Sequence, residues 1–226
     1  MCFSAAVSFA TGALLLPVAL YAIKTTHKLN ASYLPLALIP LFFALQQVTE
    51  GLIWHYSSQD DTESHLLFVQ VYLFFSHFFW LVWIPLTAWR IETEAKKKKL
   101  FFNFMLTGFI IGGLAYVPLI LQPERIEIFI LKGSIYYDTR LITHPYISLA
   151  VLRTGYIILV LTPLFLSSEK LLRQFGWMVA LAIPLTMLLF EYAFVSIWCF
   201  FAAILSLYLA WQLIRVSPQT KTPGRL

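Results

Sequence analysis

Charge is scarce in this chain, and cysteine scarcer. Only 12% of the 226 residues are Asp, Glu, Lys or Arg, and 60% are hydrophobic; ordinary globular chains carry roughly 25% charge. That shortage leaves no room for a soluble domain of useful size. The two cysteines, Cys2 and Cys199, make neither a disulfide framework nor a zinc-binding spacing. No basic stretch precedes the first apolar run, so no cleaved signal peptide is expected, and Cys2 does not follow the apolar segment of a lipoprotein site. P-loop, dinucleotide-binding, GxSxG and Ca²⁺-loop patterns are missing. Nor is there an HxxxH or HxxEH spacing, so no metal and no other cofactor is expected.

What is present is a set of long apolar runs, at roughly 4–24, 32–56, 66–89, 100–121, 145–167, 172–190 and 193–214. Each is near the ~20 residues that cross a bilayer as a helix, and a bilayer demands that backbone groups be satisfied within each segment. Pro17, Pro35, Pro40, Pro85, Pro118, Pro163 and Pro184 fall inside these runs, where membrane helices tolerate them as kinks. Lys and Arg sort between alternate connections. Twelve occupy one set (Lys24, Lys28, Arg90, Lys96 to Lys99, Lys170, Arg173, Arg215, Lys221 and Arg225), and three the other (Arg125, Lys132 and Arg140). The positive-inside rule makes the first set cytoplasmic. The expectation is an all-α integral membrane protein, a seven-transmembrane-helix bundle with its N-terminus outside and C-terminus cytoplasmic. Residues 1–215 form its single domain and 216–226 a short tail. The formal charge of +5 is then a matter of topology and lipid contact; no nucleic-acid partner is expected.

The outer connection 122–144 is the longest. Its stretch Ile126 to Tyr137 reads as two β-rich runs around Gly133, which predicts a hairpin over the outer mouth or an amphipathic segment at the lipid interface. Gly108, Gly112 and Gly113 give the fourth run a small-residue face for close helix contact.

Ionisable residues inside the runs are the best functional clue, because the membrane makes charge expensive. By helical rise, Glu50 lies about 9 Å, Arg153 about 12 Å and His77 about 16 Å below the outer ends of their runs. Glu191 marks the outer end of the sixth. Gln46, Gln47, Glu50 and Trp54 share one helix face. Arg153 needs an acceptor, and Glu50, then Glu191, is expected to supply it, either as a structural pair or within a pocket. His77 is a buried hydrogen-bonding residue or a general base. Cys2 becomes a candidate nucleophile if loss of Met1 leaves an amine beside its thiol, and a Cys2–Cys199 disulfide is open.

The start Met1-Cys2-Phe3-Ser4-Ala5 and the stretch Gln46-Gln47-Val48-Thr49-Glu50-Gly51-Leu52-Ile53-Trp54 resemble an uncharacterised bacterial family of small multi-pass membrane proteins. The resemblance covers the first quarter of the chain and implies residence in the bacterial cytoplasmic membrane. It singles out Cys2, Ser4, Gln46, Gln47, Glu50 and Trp54.

The leading expectation is a protein that binds or senses a small or lipidic ligand in an outward-facing polar pocket. Gln46, Gln47, Glu50, Trp54, His77, Arg153, Glu191 and Trp198 would line it, with Arg153 meeting an anionic group. The first alternative is an intramembrane enzyme on a lipid-derived substrate, with Glu50 or His77 as acid–base group and Cys2 as nucleophile. The second is a proton-coupled transporter. Membrane lipids are the expected partners.

Overall fold

Ser4 opens the first helix by accepting a hydrogen bond from the Val7 N–H on its side chain, as N-cap serines do. The computed structural model describes residues 4–57, 62–131, 133–143, 146–190 and 193–219. Its helices are α1 (Ala5–Leu29), α2 (Leu34–Tyr56), α3 (Thr62–Phe74), α4 (Trp80–Ile91), α5 (Ala95–Leu121), α6 (Leu149–Leu166), α7 (Lys170–Phe190) and α8 (Phe194–Gln219). A five-residue π turn, Phe75–Phe79, joins α3 to α4 in one continuous span. Seven helical spans are long and apolar enough to cross a membrane.

The apolar runs and the helices agree except at their ends. The fourth helix begins at Ala95 and takes in Lys96 to Lys99, five residues before the expected start at 100. The fifth begins at Leu149, not 145, because Ser148 caps it. The last continues to Gln219, past the expected boundary at 215. Lysines and capping residues extend helices beyond the stretch that hydropathy marks.

Pro17, Pro40, Pro85, Pro118, Pro163 and Pro184 are inside helices, and Pro35 stands in the first turn of α2. Pro85 has no N–H for the Leu81 carbonyl four residues back. Gly108 of α5 packs directly on that carbonyl, where a Cβ would lie 2.0 Å from the oxygen. Gly112, one turn on, sits against the π turn at Phe78, whereas Gly113 meets nothing. The expected small-residue face is therefore Gly108 and Gly112.

Burial separates inner helices from outer ones. About 67% of the apolar window of α2 and 61% of that of α8 are buried, against 17% in α5. Gln46, Gln47 and Glu50 of α2 and Ser196 and Ser206 of α8 accordingly lie in the bundle interior.

The expected hairpin is there: β1 (Ile126–Leu131) pairs antiparallel with β2 (Ser134–Thr139), Leu131 opposite Ser134. Gly133 takes φ +72° in the turn, a conformation only glycine adopts cheaply. The faces of β2 alternate as a half-buried strand should. Ile135 and Tyr137 are buried among Ile53, Val69, Tyr72, Leu73 and Leu119, so the hairpin packs into the bundle rather than resting beside it. At the tip of β1, Phe129, Ile130 and Leu131 are exposed.

At the opposite, lysine-rich end, loops are fastened by carboxylates. Glu92 Oε1 accepts from the N–H groups of Thr93 (2.9 Å) and Glu94 (3.1 Å), and Oε2 from that of Ser168 (2.9 Å). Burial pushes the Glu92 carboxyl up, but the bonds from Ser168, Glu94 and Thr93 outweigh it and hold the group below its usual value. Tyr33 donates to Glu169 Oε2 at 2.7 Å, and Arg173 donates to the carbonyls of Ser167 and Ser168.

Candidate functional site

The polar stripe on α2 does turn inward. Gln46, Gln47 and Glu50 are fully buried, and Trp54 is half-buried beside the hairpin cluster. Gln46 and Glu50 are met by different neighbours. Trp80 Nε1 donates to Gln46 Oε1 at 2.9 Å, and Ser196 Oγ on α8 donates to Glu50 Oε1 at 2.6 Å. Cys199, one turn beyond Ser196 on the same helix, is buried. Gln47 stands apart. Both its amide nitrogen and its oxygen are buried without a hydrogen-bond partner among the described residues, at a cost of about 1–3 kcal/mol for each unmet group.

The hairpin closes this layer. Tyr137 stacks on Tyr72 with centroids 4.7 Å apart and planes at 11°. Thr139 Oγ1 comes within 3.4 Å of His77 Nε2, while Ser76 Oγ lies 2.9 Å from His77 Nδ1. His77 sits in the π turn, a local widening common where a helix carries function. Its ring is thus held between its own helix and the hairpin.

Next to the polar layer lies an apolar cleft. Aromatic rings of five helices line it, Phe43, Trp80, Tyr156, Phe175 and Trp198, with Cys199 where it meets the polar layer. Aliphatic side chains from α4, α6, α7 and α8 fill the remaining wall. Its cavity volume is about 40 Å³, well below the ~300–1,000 Å³ of small-molecule sites, so the walls stand close together and a guest must part them.

Two expectations need correcting. Arg153 is not paired with Glu50: its guanidinium lies over the Phe194 ring, 5.3 Å from the centroid, while Ser196 takes Glu50. Arg153 is only partly buried on α6, one of the outer helices, so it has access to a cation–π contact without reaching α2. The expected outward-facing polar pocket is also differently built. The polar side chains lie under the hairpin, and the open space beside them is aromatic. Trp198 borders that space, its Nε1 donating to the Val179 carbonyl at 3.4 Å. Cys2 and Glu191 lie outside the described residues, and so does any Cys2–Cys199 bond.

Tyr72, Ser76, Trp80, Ser196, Tyr156 and Phe43 belong to the site and were not singled out by sequence. A signal existed for some of them. Tyr72, Ser76 and Trp80 recur every fourth residue around His77, and Phe43 lies one turn before Gln46. Among the described residues no three His, Cys, Asp or Glu side chains gather as a metal set.

A bundle with seven helical spans long and apolar enough to cross a membrane defines a multi-pass membrane protein. The chain belongs to a family of unknown function, DUF6629, whose model matches residues 1–223. An uncharacterised family was the expectation from the opening residues and the α2 stretch, and the match extends over nearly the whole chain. No curated protein and no solved structure matches it.

Proposed function

We propose that this protein binds a small amphipathic or lipidic molecule within the bundle, the apolar part in the aromatic cleft and the polar part toward Gln46, Gln47 and Cys199. One observation carries the reading: a cleft walled by five aromatic side chains includes Trp80, bonded to the fully buried Gln46 amide, and one turn from Phe43 of its wall the buried Gln47 amide has no hydrogen-bond partner among the described residues. A polar group on a bound molecule offers the missing donor and acceptor. We place the protein in the bacterial cytoplasmic membrane with the hairpin end outside, on the asymmetry of Lys and Arg between its connections. Labelling of Asp60→Cys from the cytoplasmic side alone would reverse that orientation.

The transporter reading is less well supported. Toward the lysine-rich end Tyr208 joins Gln212 to Gln174 of α7, but between that cluster and the Gln46 layer Thr87 and Ser206 hydrogen-bond to carbonyls of their own helices. Catalysis has no observation of its own, since Cys2 lies outside the described residues.

Ala202→Trp tests the binding site, because Ala202 lines the cleft and an indole there fills it. Native mass spectrometry of protein released gently from its own membrane should show a bound molecule in wild type and none in Ala202→Trp, with circular dichroism unchanged. A molecule retained by the variant would place binding elsewhere.

A further inference from the structure

We infer that the group seated in the cleft is an organic cation, a quaternary or protonated ammonium on a small amphiphile. The inference rests on the binding role proposed above and adds the sign of charge that the site selects. Ring geometry is the first support. Tyr156 and Trp198 meet at 72° with centroids 5.7 Å apart, a corner of two aromatic walls. Phe43 and Trp80 stack at 4.1 Å as a further wall. Aromatic faces carry negative potential and attract an ammonium within about 6 Å of the ring, most strongly where water is excluded.

Charge around the cleft is the second support. No Lys, Arg or His lines it. Glu50 lies beside it: its Oε1 accepts from Ser196, one turn before Cys199 of the cleft wall. Arg153 supplies an example within the same molecule. Its guanidinium lies over Phe194, whose ring packs 5.5 Å from that of Trp198, so the rim of this aromatic group already holds a cation. A second cation in the cleft feels Arg153 as a repulsion, and removing that charge should strengthen its binding.

Isothermal titration of the full chain in maltoside micelles distinguishes the cases with three probes of one shape. These are hexyltrimethylammonium, the neutral alkane with carbon in place of nitrogen, and hexanesulfonate. The ammonium should bind roughly tenfold more tightly than either of the others. Glu50→Gln and Trp198→Leu should each weaken the ammonium several-fold and leave the alkane unchanged, and Arg153→Met should tighten it. Equal binding of ammonium and alkane overturns the charge selection and leaves the cleft an apolar binding site. Tightest binding of the sulfonate, lost in Arg153→Met, overturns it in favour of an anion site. Binding of none of the three overturns both this inference and the binding role of the cleft.

Discussion

The two halves of the bundle bury their polar side chains to different depths. In the half under the hairpin, fully buried side chains bond between helices, Trp80 to Gln46 and Ser196 to Glu50, and part-buried His77 meets Thr139 of the hairpin. In the lysine-rich half the bonds between segments are part-buried: Trp83 to the Pro35 carbonyl, Tyr208 to Gln174, and in the loops those of Glu92, Glu169 and Arg173. A buried interhelical network fixes positions at a cost in desolvation. A carboxylate that collects backbone N–H groups in a loop fastens one segment to the next.

Breaking the fastening should have the largest effect on stability. Glu92→Ala strips three backbone donors of their acceptor and should cost about 3 kcal/mol in denaturant unfolding. A loss smaller than that of Trp80→Phe would invert the contrast between the halves. Trp80→Phe leaves the buried Gln46 oxygen without its donor and removes part of a stacked ring; about 2 kcal/mol is expected from the same measurement. Tyr33→Phe deletes the hydroxyl bond to Glu169 and should cost about 1 kcal/mol. Thr139→Val should change global stability by less than about 0.5 kcal/mol. It should nonetheless raise amide hydrogen exchange across Ser134–Thr139, because it unties the hairpin from His77.

Acid sharpens the same contrast. The Glu92 carboxyl is held below its reference value of 4.5, so its folded form keeps the charge to lower pH than the unfolded chain does. Its contribution is therefore complete above about pH 4.5 and is lost as pH falls through the lower folded value. Wild type should lose stability across that window, and Glu92→Gln should lose less. Equal acid sensitivity of the two proteins would remove Glu92 as the acid-labile fastening.

Span number, helix identity and the hairpin were legible in the sequence because each depends on local patterns: run length, period and a glycine turn. The inward stripe of α2 was legible for the same reason, since polar residues on one face of an apolar helix have one place to go. Partner choice was not legible. Arg153 and Glu50 are compatible in charge, yet Arg153 lies over Phe194 and Ser196 donates to Glu50, contacts that only the packing of the helices sets. Glu92 carries no signal in the sequence because its role lies in N–H groups that converge on it only after folding. The cleft escaped for a related reason: one or two residues from each of five helices form it, and no single segment carries its outline.

The π turn at Phe75–Phe79 behaves as one extra residue accommodated within a helix. Deleting Phe78 should restore an ordinary α-helical repeat and leave the residues beyond it facing nearly as they do now, because the wide turn alone absorbs the extra residue. Trp80 would keep its side toward Gln46 and Tyr72 its place against the hairpin, while His77, inside the turn, would lose its approach to Thr139. A single-codon deletion would thus uncouple His77 from the hairpin without altering any residue that lines the cleft. The same arithmetic describes how such a site is assembled in the first place, by inserting one residue into a plain membrane helix.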